Sequence, residues 1–239
     1  MKKIFLAIAL TITAACYAAN IKHPSLLFTT DRVAAAKKRM AGDTVQAAAW
    51  QRIKAEADRQ LAKGANVRML EYPALAWLMT GDTAYAGLVK RELLKTSEIK
   101  SWGDREMMAR KPAWRSELQM AHRAYQVAVA YDAVYSQLSS AERQKIARGL
   151  YALAVEPLLG DWVNEPTRIH SLNSMGHNWW TSCAGMGALL ALAIGNEIPE
   201  AARGAEAVAD VLPEWFDFAG DALQHKPQTF DRDGGMYES

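Results

Sequence analysis

Apolar positions recur along this chain at helical spacing almost everywhere after residue 30. Asp31 offers a cap for a helix over residues 31–40, and Asp43 or Thr44 for a second that carries Trp50, Ile53 and Ala57 towards Leu61. Residues 72–79 are apolar on most faces, stop at Thr80-Gly81-Asp82 and resume as a helix to Leu94, which reads as a helical hairpin. A charged, less regular stretch over 95–111 leads into the longest pattern, 113–137. Ser139 and Glu142 then make a capping box, Ile146, Leu150 and Leu153 repeat behind it, and Pro157 is expected to close that helix. In the next helix Trp179, Cys183, Met186, Leu190 and Ile194 mark one face, and Ala184, Gly185, Gly187, Ala188 and Ala191 fill the rest. A helix without a polar face is expected to be buried on all sides, and Gly195 to end it in a left-handed cap. Two more helices are expected over 199–212 and 214–223. No segment alternates with period two and no strand–helix–strand rhythm is visible, so the fold class is all-α, with helical hairpins in two concentric layers.

The first residues change the compartment. Lys2 and Lys3, an apolar run over 4–12 and a small-residue exit at Ala18 or Ala19 have the form of a secretory signal peptide, giving residues 1–19 as leader and 20–239 as a partial helical domain, periplasmic or secreted. The apolar run is too short to cross a bilayer, so no membrane insertion is expected. Thr13, three residues before Cys16, is not the large aliphatic of a lipoprotein cleavage site. Removing the leader leaves Cys183 alone, which excludes an internal disulfide and assigns stability to burial. The chain has 28 basic and 26 acidic residues, and loss of Lys2 and Lys3 makes the two equal, so a nucleic-acid partner is not indicated. There is no His-Glu-x-x-His, no cysteine pair, no phosphate-cradling glycine loop, and the acidic run at Asp231 and Asp233 lacks the later ligands of a calcium loop. No metal and no cofactor is expected.

Five stretches carry a resemblance. They are His23-Pro24-Ser25-Leu26-Leu27-Phe28-Thr29, Ala74-Leu75-Ala76-Trp77-Leu78-Met79-Thr80-Gly81-Asp82, Tyr131-Asp132-Ala133-Val134-Tyr135-Ser136-Gln137-Leu138, Asn173-Ser174-Met175-Gly176-His177-Asn178-Trp179-Trp180, and Asp233-Gly234-Gly235-Met236-Tyr237-Glu238. In this order and spacing they resemble the heparinase II/III-like polysaccharide lyases and their alginate lyase relatives. The resemblance implies an incomplete (α/α) toroid whose C-terminal β-sandwich is absent, with Ser239 as a truncation point. It also implies an acidic polysaccharide or oligosaccharide partner, such as heparin, heparan sulfate or alginate.

Such lyases cleave next to a uronic acid by β-elimination. The hydrogen at C5 is barely acidic while the adjacent carboxylate is ionised, so donors must first neutralise that carboxylate. A base then takes the proton and an acid protonates the leaving oxygen. The resemblance gives His177 carboxylate neutralisation or proton transfer, and Tyr237 a place at the catalytic tyrosine segment. Asn173 and Asn178 are amide donors to a carboxylate, Trp179 and Trp180 stacking surfaces of which one is core, and Arg115, Glu117 and Glu238 groove residues, with His122 and Arg123 further along the same helix. His170 and His225 read as ordinary surface or loop residues. The family's second catalytic histidine has no counterpart, so the chain alone is expected to be inactive or nearly so. Alternatives are an (α/α)-toroid glycoside hydrolase, which needs two carboxylates from Glu117, Asp132 and Glu238, and a non-catalytic sugar-binding remnant.

Overall fold

The computed structural model describes residues 21–170 and 178–225, and all regular structure among them is helical. The elements are α1 (Thr30–Met40), α2 (Thr44–Lys63), a 3-10 turn (Val67–Met69), α3 (Glu71–Thr80), α4 (Thr83–Ser97), α5 (Arg105–Met108), α6 (Leu118–Val134), a 3-10 turn (Tyr135–Gln137), α7 (Ser140–Leu150), a π-helical turn (Tyr151–Val155), α8 (Glu156–Trp162), α9 (Asn178–Ala193) and α10 (Pro199–His225). No described helix is long and apolar enough to cross a membrane.

Several boundaries follow from side chains visible in the sequence. Asp43 caps α2 through the amides of Val45 and Gln46 at 2.9 and 3.0 Å. Gly81 at φ 75° ends α3, Asp82 caps α4, and Ser139 with Glu142 forms the capping box of α7. Others differ. Thr29, not Asp31, caps α1, and Asp31 sits in the first turn. The charged stretch over 95–111 contains α5, capped by Asp104. The long helix starts at Leu118 because residues 113–117 are held outside it.

Pro157 does not stop the chain. A proline lacks the N–H and crowds the carbonyl four residues back, and the wider π turn just before α8 lets the helix run on past it. Pro213 likewise lies inside α10, which joins the two helices expected there into one. Gly195 is not left-handed, since among the described residues only Gly64 and Gly81 have positive φ. Its lack of a side chain serves packing instead: a Cβ there would lie 3.3 Å from Ala202 Cβ and 3.4 Å from Ile21 Cδ1.

Three helices, α3, α6 and α9, lie side by side and run the same way. Glu71 N at the start of α3 donates to Gln126 Oε1 at 3.3 Å, and Trp77 Nε1 further along donates to the Ala133 carbonyl at 3.2 Å, so α3 and α6 advance together. Trp114, just before α6, meets Trp179 at the start of α9 with ring centroids 6.1 Å apart, and Met186 lies beside the middle of α6. Behind this row α4 and α7 are also parallel, tied by Lys90–Glu142 at 2.6 Å and Lys145–Glu98 at 2.5 Å. α10 packs on α9 and on the π turn. Gly149 lets α7 approach α4: a Cβ there would lie 2.8 Å from Ser97 Cβ and collide with the Ser97 carbonyl.

The core joins α6 and α9 through Ala121, Ala124, Val127, Ala128, Cys183, Ala184, Leu190 and Ala191, all fully buried. Small side chains bring helix backbones close, and Gly187 sits where a Cβ would be 3.1 Å from both Leu158 Cβ and Leu159 Cδ2. α9 is not buried all round, however. Asn178, Thr181, Gly185 and Leu192 form an exposed stripe, with Leu192 at 40%.

The segment preceding α1 is locked to the far end of α6. Asp132, 2% exposed, accepts from His23 Nδ1 at 2.6 Å, from Ser25 N at 2.9 Å and from Leu26 N at 2.9 Å. The His23 ring stacks on Tyr135 at 3.9 Å, and the hydroxyls of Tyr131 and Tyr135 both donate to Glu197 at 2.7 Å. Asn196 pairs with both backbone groups of Ile21 at 2.9 Å. Two of the stretches that resemble the lyases, around His23 and around Asp132, thus meet in a buried network of hydrogen bonds.

Candidate functional site

At the other end of α6 a second buried acid organises the chain. Asp161, in the last turn of α8 and fully buried, accepts from Arg115 N at 2.7 Å, Arg115 Nε at 2.8 Å, Ser116 N at 3.0 Å and Ser116 Oγ at 3.0 Å. A buried carboxylate must be met by donors, and these donors pull residues 115–116 out of the helical path. Arg115 also reaches Glu156 at 2.6 Å. Burial opposes its charge, but the two carboxylates outweigh that and raise its pKa. Glu117 then caps α6, its carboxylate accepting from Gln119 N at 2.5 Å and Met120 N at 2.8 Å.

Around this anchor the aromatic side chains gather. Trp162 donates its indole N–H to Ser116 Oγ at 3.0 Å, and Trp180 donates to the Trp162 carbonyl at 3.2 Å. Trp114 lies 6.5 Å from Trp162 and 6.1 Å from Trp179, with Arg110 over its ring at 4.3 Å. His170 stacks on Trp162 at 3.5 Å and meets Trp114 edge-on at 4.6 Å. It is no surface residue: it is 8% exposed, its Nε2 has no hydrogen-bond partner among the described residues, and burial pushes its pKa down to about 4.

The residues expected to form a site divide accordingly. The starts of α6 and α9, about 60 residues apart in the chain, meet through Trp114 and Trp179, with Arg115 and Glu117 just before the one and Asn178 and Trp179 opening the other. Asn178 is exposed and Trp179 half-buried, whereas Trp180, 2% exposed and stacked on Trp215 at 5.8 Å, is core and has no face left for a ligand. His177, Asn173, Tyr237 and Glu238 lie outside the described residues. Neither described candidate for a hydrolase carboxylate is free, since Asp132 is buried in the His23 network and Glu117 caps α6. Among the described residues no cluster of three or more His, Cys, Asp or Glu side chains is arranged to hold a metal ion.

Further along α6 a cavity of about 400 Å³ opens between α6, α9 and the 3-10 turn before α3, lined by Arg68, Gln119, His122, Arg123, Tyr125, Gln126 and Met186. Sequence reasoning missed Trp114, Asp161, Trp162 and His170. One signal was there for Asp161: a lone carboxylate inside the apolar run Leu158-Leu159-Gly160-Asp161-Trp162-Val163 is seldom tolerated without a buried partner. In comparisons with known proteins, no family model and no curated sequence matches this chain.

Proposed function

We propose that the chain is a helical part of a polysaccharide lyase, built of (α/α)-toroid hairpins, that receives a uronic-acid-containing polysaccharide where α6 and α9 begin. The observation that supports the reading is the meeting of the starts of α6 and α9 through Trp114 and Trp179, with Arg115 and Glu117 just before the one and Asn178 opening the other, beside Trp162 and His170. Parallel α3, α6 and α9, with α4 and α7 parallel to each other behind them, support the reading as helical hairpins of a toroid. The N-terminus of α9 favours an anion, and an exposed amide at Asn178 supplies a neutral donor. Aromatic faces pack well on the apolar faces of sugar rings. His177, next to Asn178 in sequence, is the proposed carboxylate neutraliser or proton-transfer group, and Tyr237 the proposed partner in proton transfer.

The leader sequence makes a periplasmic or secreted protein the corresponding proposal for location. The test uses the full chain with heparin, heparan sulfate, alginate and a neutral glucan, read by retention on the immobilised polymer and by the ultraviolet absorbance of 4,5-unsaturated uronate ends. Retention on uronate polymers but not on the glucan, with elimination weak or absent and any elimination lost in His177→Ala, is the expected result. Equal retention on the neutral glucan, or reducing ends released without unsaturation, would sink the proposal.

A further inference from the structure

A separate cavity of about 240 Å³ lies between α1, α2 and α3, and no residue of α6 or α9 lines it. On the α1 side it is lined by Val33, Ala36 and Met40, apolar positions at helical spacing, and on the other side by Trp50, Ile53 and Met79. Apolar stripes that face one another between helices normally close to the density of a protein interior. Here none of these six side chains is buried, and α1 has no buried residue along its length. Ala36 and Ala49 are both on the wall, so the helices enclose space that larger side chains would fill.

The charge on this wall is Arg32. Its guanidinium forms no ion pair among the described residues, and its bond to the Leu27 carbonyl at 3.4 Å engages Nη1 alone, which leaves most of the N–H fork free. The Gln46 amide beside it is occupied, donating from Nε2 to Asp43 Oδ2 at 2.9 Å and accepting from Arg39 Nε at 3.2 Å. Residues 30–46 carry four basic side chains against two acidic ones, Asp31 and Asp43, and the Asp43 carboxylate is taken up by the cap of α2. The local field is therefore positive and no carboxylate answers Arg32. A small apolar space with one free guanidinium on its wall fits a ligand that is apolar along its body and anionic at one end. An apolar cavity of about 150 Å³ holds a benzene ring, so this one takes a somewhat larger body, and unbranched methionines on opposite walls adapt to a flexible chain. We propose that the space between α1, α2 and α3 binds a medium-chain aliphatic carboxylate, with the chain against Trp50, Met40 and Met79 and the carboxylate on Arg32. The site shares no residue with the polysaccharide reading and is independent of it.

Titration of the full chain, isotope-labelled at its methionine methyls, with octanoate, octan-1-ol and octylammonium tests it by nuclear magnetic resonance, the Met40 and Met79 signals being assigned through Met40→Leu and Met79→Leu. Octanoate is expected to shift both signals saturably. Octan-1-ol should bind about five- to tenfold more weakly, the factor that one charge-assisted contact contributes, and octylammonium more weakly still. Arg32→Gln, at an exposed position, should bring octanoate down to the affinity of octan-1-ol. Ala36→Leu fills the cavity and should abolish binding of all three, with Tm unchanged or raised. Circular dichroism confirms that the variants fold, and Ala49→Leu replaces Ala36→Leu if the latter does not. Absence of saturable shifts, equal affinity for octanoate and octan-1-ol, or octanoate binding that survives filling of the cavity overturns the proposal. Shifts of the same two signals on concentrating the protein without ligand would overturn it too, giving the space to a second copy of the chain.

Discussion

Replacing Asp161 by alanine removes the acceptor of four hydrogen bonds at once, three of them on Oδ2 and one on Oδ1. The donors do not share one fate. Ser116 is fully buried, so its amide and hydroxyl lose their partner with no water to replace it, at about 1–3 kcal/mol for each group left unmet. The Arg115 side chain is 36% exposed and still paired with Glu156, so its guanidinium rehydrates and the ion-pair part contributes only about 1 kcal/mol. The sum is about 3–7 kcal/mol, a large share of the roughly 5–15 kcal/mol that holds a domain of this size. It corresponds to a fall of about 6–28 °C in Tm. Urea denaturation followed by tryptophan fluorescence measures it, since Trp162 and Trp180 are tied to the same network. Asp161→Asn, which keeps one oxygen but sets an amide N–H against a donor, should fall about midway. A loss below about 1 kcal/mol in Asp161→Ala would refute the claim that this acid anchors the start of α6.

Further outcomes are expected. Gly149→Ala should destabilise by about 1–3 kcal/mol because its methyl meets Ser97, whereas Gly185→Ala, with open space around it in a helix, should be neutral or stabilising by up to about 1 kcal/mol; thermal melts of the pair compare them. Ser139→Ala should cost about 1 kcal/mol through loss of the capping box, read by urea denaturation. His170 has its pKa lowered from 6.5 to about 4 by burial, so the unfolded chain takes up a proton before the folded one. Its contribution is complete above pH 6.5 and is lost as pH falls towards 4, by at most about 3 kcal/mol. His170→Phe, which keeps the stack on Trp162, should flatten the stability–pH curve in that window, and an unchanged slope would count against this assignment.

The helices were legible because their signals are local. Asp43, the Gly81 stop and the Ser139–Glu142 box act within one turn, and the structure keeps all three. Pro157, Pro213 and Gly195 were misread for a common reason: each residue type has a local meaning and a packing meaning, and only distant partners choose between them. Gly195 is small because Ile21 and Ala202 press on it, from positions that no local window joins. The exposed stripe on α9 was hidden similarly, since an apolar helix reveals how much of it needs covering only when its neighbours are known. Of the candidate site, Arg115 and Glu117 stood out as charges at the start of a long helix. Their geometry comes from Asp161, in a different helix, and their aromatic surroundings from Trp162 and His170 beyond it.

One device is used twice, and it bears on where a ligand can be held. Asp132 and Asp161 each accept two consecutive backbone amides, those of Ser25 and Leu26 in the first case and of Arg115 and Ser116 in the second. Each also takes a side-chain nitrogen, from His23 or from Arg115. Asp132 lies near the end of α6, and Asp161 holds the residues just before its start, so α6 is fixed at both termini while its body packs on α3 and α9. A helix pinned in this way cannot rotate or slide without breaking buried charge-assisted hydrogen bonds. Gln119, His122, Arg123 and Gln126 therefore line the cavity from a rigid support, whose backbone is ordered during folding. Pinning both ends of α6 fixes where the side chains that line the cavity start, so the two buried aspartates shape that surface as well as the core.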